Sequence, residues 1–142
     1  MTDTFISQKT DASEWFRSLR DDIVTRFEAL EQQHVTDVPA GQFEVSETKR
    51  TSEDGSDAGG GLMSVMRGGR VFEKVGVNVS TVFGTLGTRA QEAMAARKDL
   101  RGMCDDPRFW AAGISLVAHM QNPHCPAVHM NTRMFWTCLL YT

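Results

Sequence analysis

Between Ala12 and Gln33 apolar side chains return every three or four residues, at Trp15, Phe16, Leu19, Ile23, Phe27 and Leu30. That period predicts an amphipathic helix whose aromatic stripe packs against a sheet. Ser13 is placed to cap its start, residues 1–11 are polar and expected to fray, and His34 is expected in solvent at the helix end. Beyond Pro39 the period changes to two. Gln42 to Thr51 reads as a strand with Phe43, Val45, Glu47 and Lys49 on one face, while Leu62 to Met66 and Arg70 to Ser80 flank Gly68-Gly69 as a hairpin. In the second arm Val71, Glu73, Val75, Val77 and Val79 form a mainly apolar face, and Phe72, Lys74, Gly76, Asn78 and Ser80 a mixed one that can line a cavity. Asn78 and Ser80 suit either backbone satisfaction or ligand contact.

Ser52 to Gly61 is polar and glycine-dense and reads as a loop. Gly59-Gly60-Gly61 is followed by no Gly-Lys-Ser/Thr, which excludes a phosphate-binding P-loop but leaves backbone approach to another ligand open. Thr88 to Arg101 is rich in strong helix formers, with Thr88 as its expected cap, Gly102 as its stop and Asp105-Asp106-Pro107 as the turn after it. Two further β runs, Ala111 to His119 and Ala127 to Arg133, are joined by seven residues containing Pro123 and Pro126, a length suited to an antiparallel pair. Helix, strands, helix, strands, joined by hairpins rather than crossovers, predict an α+β fold on an antiparallel sheet.

The chain has 142 residues, 41% hydrophobic and 23% charged, the balance of an ordinary globular domain or part of one. A net charge of −3 with no basic run argues against nucleic acid as a partner, since nothing supplies general phosphate neutralisation. No apolar run reaches the length of a membrane span, and the N-terminus lacks a secretory pattern, so a cytoplasmic location is expected. Cys104, Cys125 and Cys138 lack metal-type spacing and read as reduced thiols.

Candidate chemistry gathers in the last two β runs. With a period of two, Ser115, Val117 and His119 share one face of the first strand, and His129, Asn131 and Arg133 share one face of the second. If those faces coincide, they make a polar patch suited to proton transfer by imidazole and carboxylate capture by guanidinium. His119, His124 and His129 are spaced five apart, which invites a metal reading, but His124 sits in the connection and two histidines alone rarely complete a site.

The runs Gly59 to Ser80, GGGLMSVMRGGRVFEKVGVNVS, and Ala111 to Arg133, AAGISLVAHMQNPHCPAVHMNTR, resemble the oxygen-dependent coproporphyrinogen III oxidases. With the first helix, the resemblance spans most of residues 13–135. It implies a large, flat antiparallel sheet sandwiched between helices and assembled as a homodimer. It implies oxidative decarboxylation of coproporphyrinogen III to protoporphyrinogen IX, with molecular oxygen as co-substrate and no organic cofactor. His129 falls at the family's proton donor, Ser115 at a substrate contact, and Asn131, Thr132 and Arg133 at a substrate-binding run. His119 and His129 also fall where bacterial members have metal ligands, so a divalent metal belongs to what the resemblance implies. A porphyrinogen-binding remnant without turnover and a histidine metalloprotein are the alternative readings.

The pattern breaks after Phe135, and residues 136–142 read as an atypical tail. Members of the family are much longer, so residues 1–142 are expected to be the N-terminal part of one domain. With a sheet left uncovered, such a part is expected to aggregate and to turn over little or no substrate.

Overall fold

The computed structural model describes residues 2–96 and 106–137. The order is α1 (Thr2–Gln33), β1 (Glu44–Thr51), β2 (Asp57–Arg67), β3 (Phe72–Thr85), α2 (Thr88–Ala95), β4 (Arg108–Met120) and β5 (Val128–Thr137). The strands form one flat antiparallel meander in the order β1-β2-β3-β4-β5. The expected α+β class is therefore what the chain adopts. β4 and β5 are longer than their sequence patterns suggest, and β5 runs through Trp136 and Thr137 into the expected tail, pairing them with Trp110 and Phe109.

Alternation along the strands sorts the sheet into two unlike faces. Val75, Val77 and Val79 of β3 lie level with Ala118, Leu116 and Ile114 of β4, and all six are buried. Phe16 of α1 is buried on this face, with Leu19, Ile23 and Phe27 packed around it. Each such side chain removed from water contributes about 1.5–3 kcal/mol, which is why the helix stays on the sheet. The opposite face is open over its middle, where Met63 is 43% and Val117 38% exposed. Of the sandwich that the resemblance implies, the described residues supply one cover, α1; α2 buries none of its side chains.

The helix departs from its expected bounds. It begins at Thr2, so the residues expected to fray are helical and Ser13 lies inside it rather than at a cap. Its early turns gain local bonds, Thr10 Oγ1 donating to the Ile6 carbonyl at 3.1 Å, and the Lys9 ammonium sits 5.4 Å from the Trp110 ring centroid. Trp15 and Leu30 leave the stripe, at 57% and 44% exposed, because each lies one residue, or 100° of helix turn, from a buried neighbour. Those neighbours are Phe16 and Glu31. Arg20 also lies on this face, donating from Nη1 to the Ser64 hydroxyl at 3.1 Å.

Glu31 is fully buried, and its carboxylate accepts backbone N–H bonds from Gly41 (2.8 Å), Arg70 (2.5 Å), Val71 (2.8 Å) and Phe72 (2.9 Å). The end of α1, the α1–β1 connection and the β2–β3 turn are thereby tied to one side chain. Arg70 closes the knot by donating from Nε to the Val38 carbonyl at 2.6 Å. Gly69 must lack a side chain, since a Cβ there would meet the Glu31 carboxylate at 2.6 Å. The expected hairpin at Gly68-Gly69 is present, with Gly68 at φ 61°, although its turn spans Gly68 to Val71. A bulge between Phe72 and Lys74 then turns Phe72 onto the core face, where it stacks on Phe27 at 4.8 Å.

Two further expectations are corrected. Gly59-Gly60-Gly61 is strand rather than loop, because β2 starts at Asp57; a Cβ on any of the three would collide with backbone of the flanking strands, at Thr81, Thr48 and Val79 respectively. That backbone approach is to protein, not to a ligand. Thr88 is the first helical residue of α2, and Gly87 holds the cap position with no side-chain bond. The expected end of that helix, including Arg101 and Gly102, lies outside the described residues, as do Cys104 and Cys138.

Burial alone would push the Glu31 carboxyl up, but its four N–H donors outweigh that and hold it below the usual carboxylate range. A depressed folded value means stability that is present above the unfolded value of about 4.3 and lost as pH falls below it toward the folded one. In urea titrations across that window the native chain should lose stability with acid, whereas Glu31→Gln should show a flatter dependence. At pH 7, Glu31→Ala should cost at least about 3 kcal/mol, because it orphans buried donors. A loss below 1 kcal/mol, about the worth of one ordinary hydrogen bond, would contradict the role given to this carboxylate.

Candidate functional site

On the open face, pairing register converts sequence parity into rows that cross the sheet. One row reads Ser80, Gly113, Arg133; the next Asn78, Ser115, Asn131; the third Gly76, Val117, His129. A fourth places Lys74 beside His119. The two polar strand faces expected from alternation therefore coincide, and Ser115, His119, His129, Asn131 and Arg133 share one surface. Thr132 does not. It lies level with Ile114 on the helix side, because consecutive strand residues point oppositely. Its part in the run is to space Asn131 and Arg133 onto the same face.

The rows give the face a relief. Glycine and serine at 76, 80, 113 and 115 keep its middle low, and a shallow groove of about 50 Å³ runs there, lined by Asn78, Ser80, Gly113, Ser115, Asn131 and Arg133 among others. Asn78 serves both roles open to it: its Oδ1 accepts the Ser64 N–H at 3.2 Å, and the half-buried side chain still lines the groove. Arg133 and His129, four residues apart on β5, are separated by about 13 Å along the strand. The surface suits a broad, flat ligand better than a small enclosed one.

The imidazoles of His119 and His129 lie edge to face with ring centroids 5.8 Å apart, and both are exposed. His124 is in the connection after β4, where its N–H donates to Asn122 Oδ1 at 2.9 Å, and it does not join them. Among the described residues no three His, Cys, Asp or Glu side chains converge on a point that could hold a metal ion. The histidine pair alone is less than the three or four protein ligands that zinc takes. Sequence parity finds most of this site, Gly113 included as the residue two before Ser115 on β4, but Lys74 and Ser80 join it only through the β3–β4 register, which alternation within one strand does not reveal.

Helix-backed on one side and polar, low and open on the other, the sheet defines an α+β domain whose candidate site is a face rather than a cleft. The profile of the coproporphyrinogen III oxidase family matches residues 11–139, and the chain belongs to that family. An oxygen-dependent coproporphyrinogen-III oxidase of Rickettsia bellii (strain RML369-C) is 43% identical over 125 residues, covering 88% of this chain and 41% of the relative. Its namesake in Rickettsia felis is 42% identical over 132 residues, covering 93% and 44%. The chain thus spans less than half the length of these relatives.

Two glycines of the open face separate packing from relief. A Cβ on Gly113 would meet the Thr132 carbonyl at 2.6 Å and Arg133 Cα at 3.2 Å, whereas one on Gly76 meets nothing closer than Asn78 Nδ2 at 3.7 Å. Gly113→Ala should therefore push β5 away at Arg133 and cost about 1–3 kcal/mol, while Gly76→Ala should be near neutral in the same thermal melts. Equal effects would show that the β4–β5 approach is not tight.

Proposed function

We propose that the open face is part of the substrate site of an oxygen-dependent coproporphyrinogen III oxidase. The observation that carries this is the set of cross-strand rows, which put His129, Ser115, Asn131 and Arg133 on one surface with a floor of small residues. A flat tetrapyrrole bearing propionates matches such a surface in shape and charge. Arg133 offers a planar guanidinium to one propionate, with charge-assisted bonds worth about 1.5–3 kcal/mol each. Ser115 and Asn131 supply hydrogen bonds along the groove, and Thr132 sets the spacing of the run.

For each propionate the balance is –CH2CH2COO⁻ + O2 + H⁺ → –CH=CH2 + CO2 + H2O2. The Cα–carboxylate bond breaks, a hydride equivalent leaves the carbon next to the ring, and oxygen takes both electrons. One proton is consumed overall. His129 is the group on this face suited to deliver it, because imidazole exchanges protons near neutral pH. The tetrapyrrole supplies the electrons, so no organic cofactor is required. Of a divalent metal, His119 and His129 would provide only part of the ligand set.

The homodimer and the cytoplasmic setting belong to the same reading and are supported by the family membership. Among the described residues no helix is long and apolar enough to cross a membrane.

The test uses the full-length Rickettsia bellii relative, carrying substitutions at the positions matching His129 and Arg133. His129→Ala should lower kcat about 10²- to 10⁴-fold with little change in KM. Arg133→Ala should chiefly raise KM, about tenfold or more. Unchanged kinetics in both variants would remove the assignment of this face.

A further inference from the structure

Beyond the residues already given roles, the open face carries a second basic end. Arg67 and Lys74 are directly opposite each other at the last pair of the β2–β3 ladder, and Lys74 lies level with His119 across β4. Met66 is buried and Arg67 exposed, so alternation puts Arg67 on the open face with Lys74. Like charges facing each other across neighbouring strands destabilise a sheet. Neither cation has an ion-pair partner among the described residues. The nearest acids on these strands are Glu73, exposed in the bulge beside Lys74, and Glu44, level with Val65 one row away on the outer strand, and neither forms an ion pair with them. An unopposed cation pair of this kind is relieved by an anion bound between the two side chains.

Its position relative to Arg133 names the anion. Arg133 lies in the first of the four rows and Lys74 in the last, about 20 Å apart along the strands, with the low groove between them. Long arginine and lysine side chains shorten that span at their charged ends. A flat ligand with acidic arms on opposite sides therefore reaches both ends, whereas one with acidic arms on a single edge reaches only one.

We propose that Arg67 and Lys74 form a second carboxylate subsite that holds a propionate on the side of the tetrapyrrole away from Arg133. The subsite selects macrocycles with acidic arms all round over those with arms on one edge. It rests on the porphyrinogen reading of the face and adds a specificity determinant to it.

The test measures binding of two oxidised macrocycles to the 142-residue chain by fluorescence: coproporphyrin III, with four propionates, and a porphyrin with two propionates on one edge. In the double variant Arg67→Gln/Lys74→Gln, affinity for the tetrapropionate should fall roughly tenfold, with little change for the dipropionate. Without ligand the variant should melt at or above the native chain, since a like-charge pair has been removed. Equal loss for both porphyrins, or none for either, overturns the subsite. If Arg133→Ala weakens binding while the double variant does not, the porphyrinogen reading stands and this inference falls. If neither substitution matters, or the native chain binds neither porphyrin, both fall.

Discussion

One buried carboxylate fixes the geometry on which the rest depends. Glu31 gathers four backbone N–H groups from the α1–β1 connection and the β2–β3 turn, and so sets where the helix ends and the hairpin begins. Phe72 gives its N–H to Glu31, which fits the ladder irregularity that follows it and the rotation of its ring into the core. Gln121, at the end of β4, is then tied to the same turn: its N–H donates to the Val71 carbonyl at 2.8 Å and its side-chain amide to the Gly69 carbonyl at 2.9 Å. The ends of three strands are thus indexed to one side chain. A slip of one residue in that register would send every open-face side chain to the helix side.

From that register the division of labour between the faces follows. Valine, alanine, isoleucine and leucine on β3 and β4 bury themselves under α1, and the residues between them, mostly serine, asparagine, histidine, lysine and glycine, make up the open face. The candidate site residues sit on strands rather than loops, so their spacing is held by the ladder. Small residues at the middle of the face keep it low, and cations stand at its ends. On the function proposed for it, such a surface receives a flat, multiply charged molecule lying across it.

Much of this is legible in the sequence because strand parity is a strict rule. His129, Asn131 and Arg133 share a face in any β5, and Ser115 shares one with His119. Parity equally excludes the side chain of Thr132 from that face, which the resemblance alone would have included. Harder to read is anything that depends on pairing between distant segments: Lys74 beside His119, or Gly113 under Arg133. Glu31 is the clearest omission. A glutamate one residue from Leu30 looks like part of a solvated helix face, and only the folded hairpin supplies the four donors that let it be buried. The run Gly59-Gly60-Gly61 misleads for a related reason. Its composition suggests a loop, but close approach of flanking strand backbone makes glycine necessary inside a sheet.

The central claim is that ligand lies on the open face and not against the helix side or the connections. The four histidines report this directly: His119 and His129 are on the face, His34 is beyond the end of α1 and His124 is in the β4–β5 connection. Acylation of histidine by diethyl pyrocarbonate, mapped residue by residue with and without coproporphyrin III, should show protection of His119 and His129 while His34 and His124 react unchanged. Protection of His34 or His124 instead, or equal reactivity at all four, would contradict the account.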